Sequence, residues 1–378
     1  MKQIYLDNNA TTRLHPKVLE EMLPYLSNNY GNASSIHWFG QEARRGMDRA
    51  RERVANFIGA SVNEIVFTSG GTEADNQALL GIADAVGKPG SRIITTAIEH
   101  QAVLNSCRYL EKKGFRVTYL SVDSQGRVDL ESLADSIDDD VILISVMLAN
   151  NEVGTIQPVQ EAAELAKSKG ILFHTDAVQA AGRIPIDVRQ LGVDLLSLSG
   201  HKFHGPKGCG ALFVRSGIAG PVLIHGGHHE RRRRAGTENV AAIVGFGLAC
   251  SLAAAKLEDA NLAVGSLRDR LEKGILERVF GAKVNGSQEH RLPNTLNVGF
   301  ESVDGQSLAM DLDLSGIAVS TGSACKSDMR EPSYVLSAMG CSVEEASSCL
   351  RFSLSADNTE EEIDRVLDIL PELVDGLR

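Results

Sequence analysis

The sequence predicts an α/β fold: a mostly parallel sheet in a large domain, then a smaller C-terminal α+β domain. Three observations lead there. Between about Leu14 and Ala255, short apolar runs alternate with helical patterns, the signature of strands joined by crossover helices. Those runs are almost continuously Ile, Val and Leu, as strands covered on both faces are. After residue 256 the alternation stops, and helix, strand, Gly/Ser loop, strand and helix follow. At 378 residues the chain can bury a large core and divide. The expected parts are an N-terminal arm over 1–14, a large domain over 15–256 and a small domain over 257–378.

In order, the predicted strands of the large sheet are Glu64–Thr68, Arg92–Thr96, Val141–Val146, Gly170–His174, Asp194–Leu198 and Gly210–Val214. The weakly polar run Val240–Ala255 is shorter than a bilayer span, contains Gly245, Gly247 and Ser251, and reads as a buried helix. A second helix is expected over Leu267–Phe280, strands over Thr295–Phe300 and Leu350–Leu354, and a loop over 320–327. The last helix opens with a capping box, Thr359 with Glu362, and carries Ile363, Val366, Leu367, Leu370 and Val374 on one face. Pro371 is expected to kink or shorten it.

Composition narrows the function. The chain is 43% hydrophobic and 23% charged, and its net charge of −11 disfavours nucleic acid or an anionic membrane as the main partner. Its first residues, Met1 to Asp7, have no apolar signal region, which makes the cytoplasm the expected location. Six cysteines are scattered without CxxC pairs or ligand spacing and are expected to be reduced thiols. The cluster His225, His228, His229 lacks a matching carboxylate or cysteine spacing, so no metal is expected.

The most informative stretch runs from Ser199 to Gly208 and follows His174-Thr175-Asp176. A lysine between glycines at a strand end, with an aspartate behind the preceding strand, suits pyridoxal phosphate. The Lys202 amine would form an imine with the cofactor aldehyde, and Asp176 would keep the ring nitrogen protonated. Lys202 alone would read as a surface lysine; the pairing reverses that. Thr68-Ser69-Gly70-Gly71-Thr72 follows a strand and opens a helix, where bare N–H groups and the helix dipole favour a phosphate. All these motifs lie beyond the carboxyl ends of strands, where open α/β sheets bind ligands.

With these residues in view, the chain resembles the cysteine desulfurases of the NifS/IscS type. They form part of the class-V aminotransferase family, within the fold-type I pyridoxal phosphate enzymes. The resemblance spans nearly the whole length. It rests on Tyr5 to Thr12, Ser69 to Glu73, Glu99-His100, Asn150 to Gly154, the Asp176 and Lys202 segments, Arg234 to Thr237, Ser320 to Cys325, and Arg351-Phe352-Ser353.

The resemblance implies a role for each matching position. Lys202 holds the cofactor and moves protons; Asp176 faces the ring nitrogen; Gln179 approaches the ring hydroxyl; His100, a catalytic residue, stacks on the ring and donates or accepts a proton. Gly71, Thr72, Ser199 and His201 hold the phosphate, with Thr237 from a second subunit of a homodimer. Asn151 and Arg351 fix the substrate carboxylate, a task suited to the planar fork of Arg. Cys325 takes sulfur from L-cysteine as a persulfide, leaving L-alanine, and passes it to an acceptor for iron–sulfur cluster assembly or thiolated cofactors. Its polar neighbours disfavour burial, and Lys326 would lower its pKa.

Three positions depart from the family's usual pattern: Ala33 where proline is common, Ser355 to Asn358 without a basic residue, and Lys326 after the cysteine. Two other readings stay open. A selenocysteine lyase would retain turnover without Cys325. A non-catalytic sulfur-relay scaffold would lack the cofactor.

Overall fold

A computed structural model describes residues 3–321 and 332–378. Seven strands form the main sheet. Their order across it is Ile65–Thr68, Gly210–Val214, Leu195–Ser199, Leu172–Asp176, Val141–Ser145, Arg92–Thr96 and Arg116–Leu120. Gly210–Val214 runs antiparallel to both of its neighbours; the other pairings are parallel. The sheet is therefore mostly parallel, as predicted.

Alternate residues of these strands enter two different cores, which is why the runs are apolar on both faces through most of their length. Val66, Ile93, Leu143, Leu195 and Leu212 pack with Ala74, Ala78, Leu79 and Ile82 of the helix Gly71–Val86. Ile65, Phe67, Ile94, Ile144 and Leu196 face the opposite layer, with Met47, Ala50 and Val54 of the helix Trp38–Phe57 and Phe246 of the helix Val240–Arg278. Roughly 1.5–3 kcal/mol accrues per large apolar side chain buried in this way.

A smaller antiparallel sheet, Cys349–Ser353, Thr295–Phe300 and Ala282–Asn285, builds a separate core with Leu271, Ile275, Ile363, Val366 and Leu370. Ile4 and Leu6 belong to this core, and Ile4–Tyr5 pairs in parallel with Ile317–Ala318. The first residues are thus tied to the small sheet, and the next few run on to the large one.

Two expectations are corrected, and two strands are added. The helices predicted over 240–256 and 267–280 are one helix, Val240–Arg278. The intervening Leu257–Ser266 contains no proline and only Gly265, so nothing local ends the helix. By length and apolar composition this helix could cross a membrane, but half of its most apolar window is buried inside the protein.

The terminal helix neither stops nor shortens at Pro371; it runs Glu360–Leu377. Proline removes the N–H that would bond the Leu367 carbonyl, and Arg278 Nη1 donates to that oxygen at 3.1 Å instead. Buried Leu370 and Val374 hold the helix on either side of the proline. The strands Arg116–Leu120 and Ala282–Asn285 were missed. Arg116–Leu120 is a sheet edge whose Arg116 and Tyr119 are exposed, so it lacks the apolar run of its neighbours.

Candidate active site

The carboxyl ends of the parallel strands converge on one cavity of about 210 Å³, lined by Gly71, Thr72, Asp75, His100, Met147, Asn151, Asp176, Val178, Gln179, Ser199, His201 and Lys202. Nine of the predicted site residues are therefore together. Each arrives at a strand end or just past one: Asp176 and Ser199 close their strands, Gly71 and Thr72 follow Ile65–Thr68, His100 follows Arg92–Thr96, Asn151 follows Val141–Ser145, Gln179 follows Leu172–Asp176, and His201 and Lys202 follow Leu195–Ser199.

Local chemistry fixes each group. Phe203, the residue after Lys202, is buried with its ring centroid 5.5 Å from Phe57 and 5.9 Å from Phe246. This apolar anchor pins the short turn Gly200–Lys202, so the lysine points away from the core. Its Nζ donates to the carbonyls of Asn9 at 2.6 Å and Ala10 at 3.0 Å. Burial lowers the amine pKa to about 8, assisted by the charges of Arg183 and Arg351 and opposed by Asp176 and Asp7. A larger fraction is then the free amine, the form that attacks an aldehyde.

Asp176 ends the strand Leu172–Asp176 and is 5% exposed. Its Oδ1 accepts from Val178 N at 2.9 Å. Burial raises its pKa, while His100, that N–H and Lys202 favour the charged form. His100 caps the helix Gln101–Lys112: its Nδ1 accepts from Ala102 N at 3.1 Å, which leaves the proton of the neutral ring on Nε2. Burial lowers its pKa too. His201 is pushed down to about 4, by burial and then by Lys202 and Lys207.

The residues present fit pyridoxal phosphate. A hydroxyl pair, an imidazole and a helix N-terminus offer donors for an anion, and the carboxyl of Asp176 and the Lys202 amine of lowered pKa stand in the same cavity. Asn151 Oδ1 is buried without a hydrogen-bond partner, as expected of a group aimed at a ligand. Gly71 has no alternative: a Cβ there would lie 2.7 Å from Val178 Cγ2.

Two predicted residues lie elsewhere, and a third is outside the described residues. Arg351 does not line this cavity; its Nη2 donates to Asp7 Oδ1 at 2.7 Å and its Nη1 to the Asn151 carbonyl at 3.0 Å. Thr237 lines a different cavity of about 200 Å³ with Ser69, Arg234 and Glu238. Cys325 and Lys326, with most of the predicted 320–327 loop, lie outside the described residues. Among the described residues no cluster suits a metal, and the five described cysteines are free.

Sequence reasoning missed Asp75, which lines the cavity from the helix, and Asp7, the partner of Arg351. It also missed Arg183, whose Nη1 donates to Gln179 Oε1 at 2.6 Å and whose Nη2 reaches the Asn8 and Lys202 carbonyls. Asp7 stands in the quoted Tyr5–Thr12 motif, a signal that could have marked it.

Comparison with known proteins agrees with this geometry. The class-V aminotransferase family model matches residues 4–366. The chain belongs to this family, within the cysteine desulfurases of the NifS/IscS type. A relative from Methanosarcina thermophila named cysteine desulfurase IscS is 52% identical over 377 residues, covering 100% of this chain and 93% of that protein. A solved NifS-like protein superposes with a TM-score of 0.93 at 44% identity, covering 99% of this chain and 100% of that one. The structure described as SspA in complex with cysteine superposes at 0.83 with 36% identity, covering 94% and 100%.

Proposed function

We propose that this enzyme binds pyridoxal 5'-phosphate on Lys202 and removes sulfur from L-cysteine, giving L-alanine and a persulfide on Cys325. The observation that carries the reading is the single cavity holding Lys202, Asp176, His100 and the anion donors Thr72, Ser199 and His201. When bound, the cofactor supplies an aldehyde for the lysine and a ring that draws electrons from the substrate's α-carbon.

The protein's groups then have distinct tasks. Lys202, whose proton burial makes easier to lose, would hold the cofactor and afterwards carry protons at Nζ. Asp176 would pair with the ring nitrogen, Gln179 with the ring hydroxyl, and His100 would stack on the ring. Gly71, Thr72, Ser199 and His201 would hold the phosphate. Asn151 and Arg351 receive the substrate carboxylate; for Arg351 this means exchanging Asp7 for the substrate, which its open fork permits. The Cys325 thiolate receives the sulfur and then passes it to an acceptor protein, such as an iron–sulfur scaffold.

The reading includes a homodimer, in which Thr237 would serve the partner's phosphate site; its position away from its own chain's cavity supports this. Exposed Tyr30, Ile36, Trp38 and Phe39 offer an apolar surface for that contact. The free thiols suit the cytoplasm.

Mass spectrometry after treatment with L-cysteine tests the proposal. The expected result is one extra sulfur on the Cys325 peptide together with stoichiometric alanine. Alanine formation that persists in Cys325→Ala at the native rate would overturn it.

A further inference from the structure

The cavity contains a second carboxyl group that the proposed reaction does not use. Asp75 lies on the helix Gly71–Val86, is 1% exposed and lines the cavity alongside Asp176. Its helix packs on the strands Leu172–Asp176 and Leu195–Ser199, so its side chain meets groups from both. From the first comes His174, whose Nε2 is 3.7 Å from Asp75 Oδ1, and from the second Ser197, whose hydroxyl acts on the carboxyl and favours its charged form. Ser197 Oγ also contacts His174 Nε2 at 3.0 Å, and His174 Nδ1 contacts Ser145 Oγ at 2.8 Å. Ser145, His174, Ser197 and Asp75 thus form one buried polar chain ending at the cavity wall.

Among the described residues no cation compensates Asp75. The titratable groups acting on it are Asp176 and Glu99, both acidic, and His174, which burial holds neutral with a pKa near 3. Asp75 Oδ1 is buried with no hydrogen-bond partner. Asp176 is better provided, with the Val178 N–H, His100 and Lys202 favouring its anion. Two carboxyl groups in one enclosed site do not both ionise; the environment assigns the proton to one of them. Burial and the Asp176 charge drive the Asp75 pKa well above the usual carboxylate range.

We infer that Asp75 is the uncharged, protonated member of a carboxyl pair, a positioning residue that leaves Asp176 as the cavity's single anion opposite the cofactor ring nitrogen. This rests on the cofactor reading above, but its first test does not need the cofactor. As a neutral acid, Asp75 can donate a hydrogen bond into the Ser197–His174 chain, which an anion cannot do. Keeping one charge beside the ring, rather than two, leaves the ring nitrogen paired with Asp176 alone.

Carbon-13 NMR of the aspartate-labelled, cofactor-free full chain at neutral pH reads the state directly. A protonated-carboxyl signal that disappears in Asp75→Asn is the expected result. Linkage gives a second readout. The folded state retains a proton that the unfolded chain has lost above its pKa of about 3.9, so stability attributable to Asp75 falls as pH rises through that value. Asp75→Asn therefore raises the melting temperature at pH 7.5, and the gain shrinks toward zero near pH 4.

In cofactor titrations followed by the visible band, Asp176→Asn weakens binding at least about tenfold and Asp75→Asn less than about threefold, since only the first removes the anion. An ionised Asp75 signal at neutral pH, or a loss of cofactor affinity in Asp75→Asn equal to that in Asp176→Asn, would overturn the inference. Failure of the cysteine reaction with a neutral Asp75 signal intact would count against the proposed function and leave this inference standing.

Discussion

Arg51 meets Glu230 at 2.6 Å and Arg351 meets Asp7 at 2.7 Å, with both guanidinium groups nearly excluded from solvent. Each leaves its Nε unpaired. The remaining contacts differ. Arg51 grips both oxygens of Glu230, donates to the Ile65 carbonyl and lies 4.5 Å over the Phe67 ring, while Glu230 also accepts from Phe67 N. Every strong partner of that pair is internal. Arg351 takes one oxygen of Asp7 and one backbone carbonyl, and Asp7 keeps a fifth of its side chain exposed.

The first pair is closed and the second is open to exchange. Glu230 also sits at φ +45°, followed by Arg231 and Arg232 at +57° and +67°. Left-handed residues of this type cost roughly 1–2 kcal/mol each, so the closed pair offsets strain in a turn that leads to Thr237. One ion pair holds a backbone shape, and the other holds a place for a ligand.

The largest expected effect breaks the closed pair. Arg51→Ala strands Glu230 in the interior and should cost about 3–5 kcal/mol, read from urea unfolding of the full chain. A loss below about 1 kcal/mol would remove the distinction between the pairs. At the open pair the effect moves from stability to substrate. Arg351→Lys should raise KM for L-cysteine at least about tenfold, the loss of one charge-assisted hydrogen bond, with little change in the unfolding midpoint. An unchanged KM would detach Arg351 from the substrate.

The pairs also differ in their reach toward Lys202, whose amine responds to Arg351 and Asp7 and not to Arg51. The rate at which cofactor-free protein captures pyridoxal phosphate should rise with pH and reach half its maximum near pH 8. Because the depressed pKa means the folded state releases its proton first, stability from this group grows as pH rises from about 8 toward 10.5. Arg351→Gln removes a cation and should move the capture midpoint upward; a midpoint that stays in place would show that burial alone sets it. The smallest effect is expected at Arg270–Asp364, a 2.8 Å pair about half exposed on each side. Arg270→Ala should leave the unfolding midpoint unmoved, since solvent screens such pairs.

Much of this site was legible in the sequence because its residues sit in short runs with local meaning. Lys202 follows a strand and is flanked by glycines, Asp176 closes a strand, and Gly71-Thr72 open a helix. Six of the seven strands of the main sheet, and the crevice at their ends, followed from apolar runs buried on both faces.

What escaped depends on tertiary burial. Asp75 looks like any polar position of a helix until two strands cover it. Asp7 lies 344 residues from Arg351. The edge strand Arg116–Leu120 carries too much exposed polarity to resemble its neighbours. Pro371 reads as a helix breaker unless Arg278, 93 residues earlier in the chain, is known to satisfy the freed carbonyl.

Borohydride reduction of the yellow, cofactor-loaded enzyme followed by peptide mapping tests the central claim most directly. A pyridoxyl group on the peptide containing Lys202, with loss of the visible band, is the predicted result. A reduced adduct on another lysine, such as the nearby Lys207, or a coloured enzyme whose Lys202 remains unmodified after reduction, would contradict it.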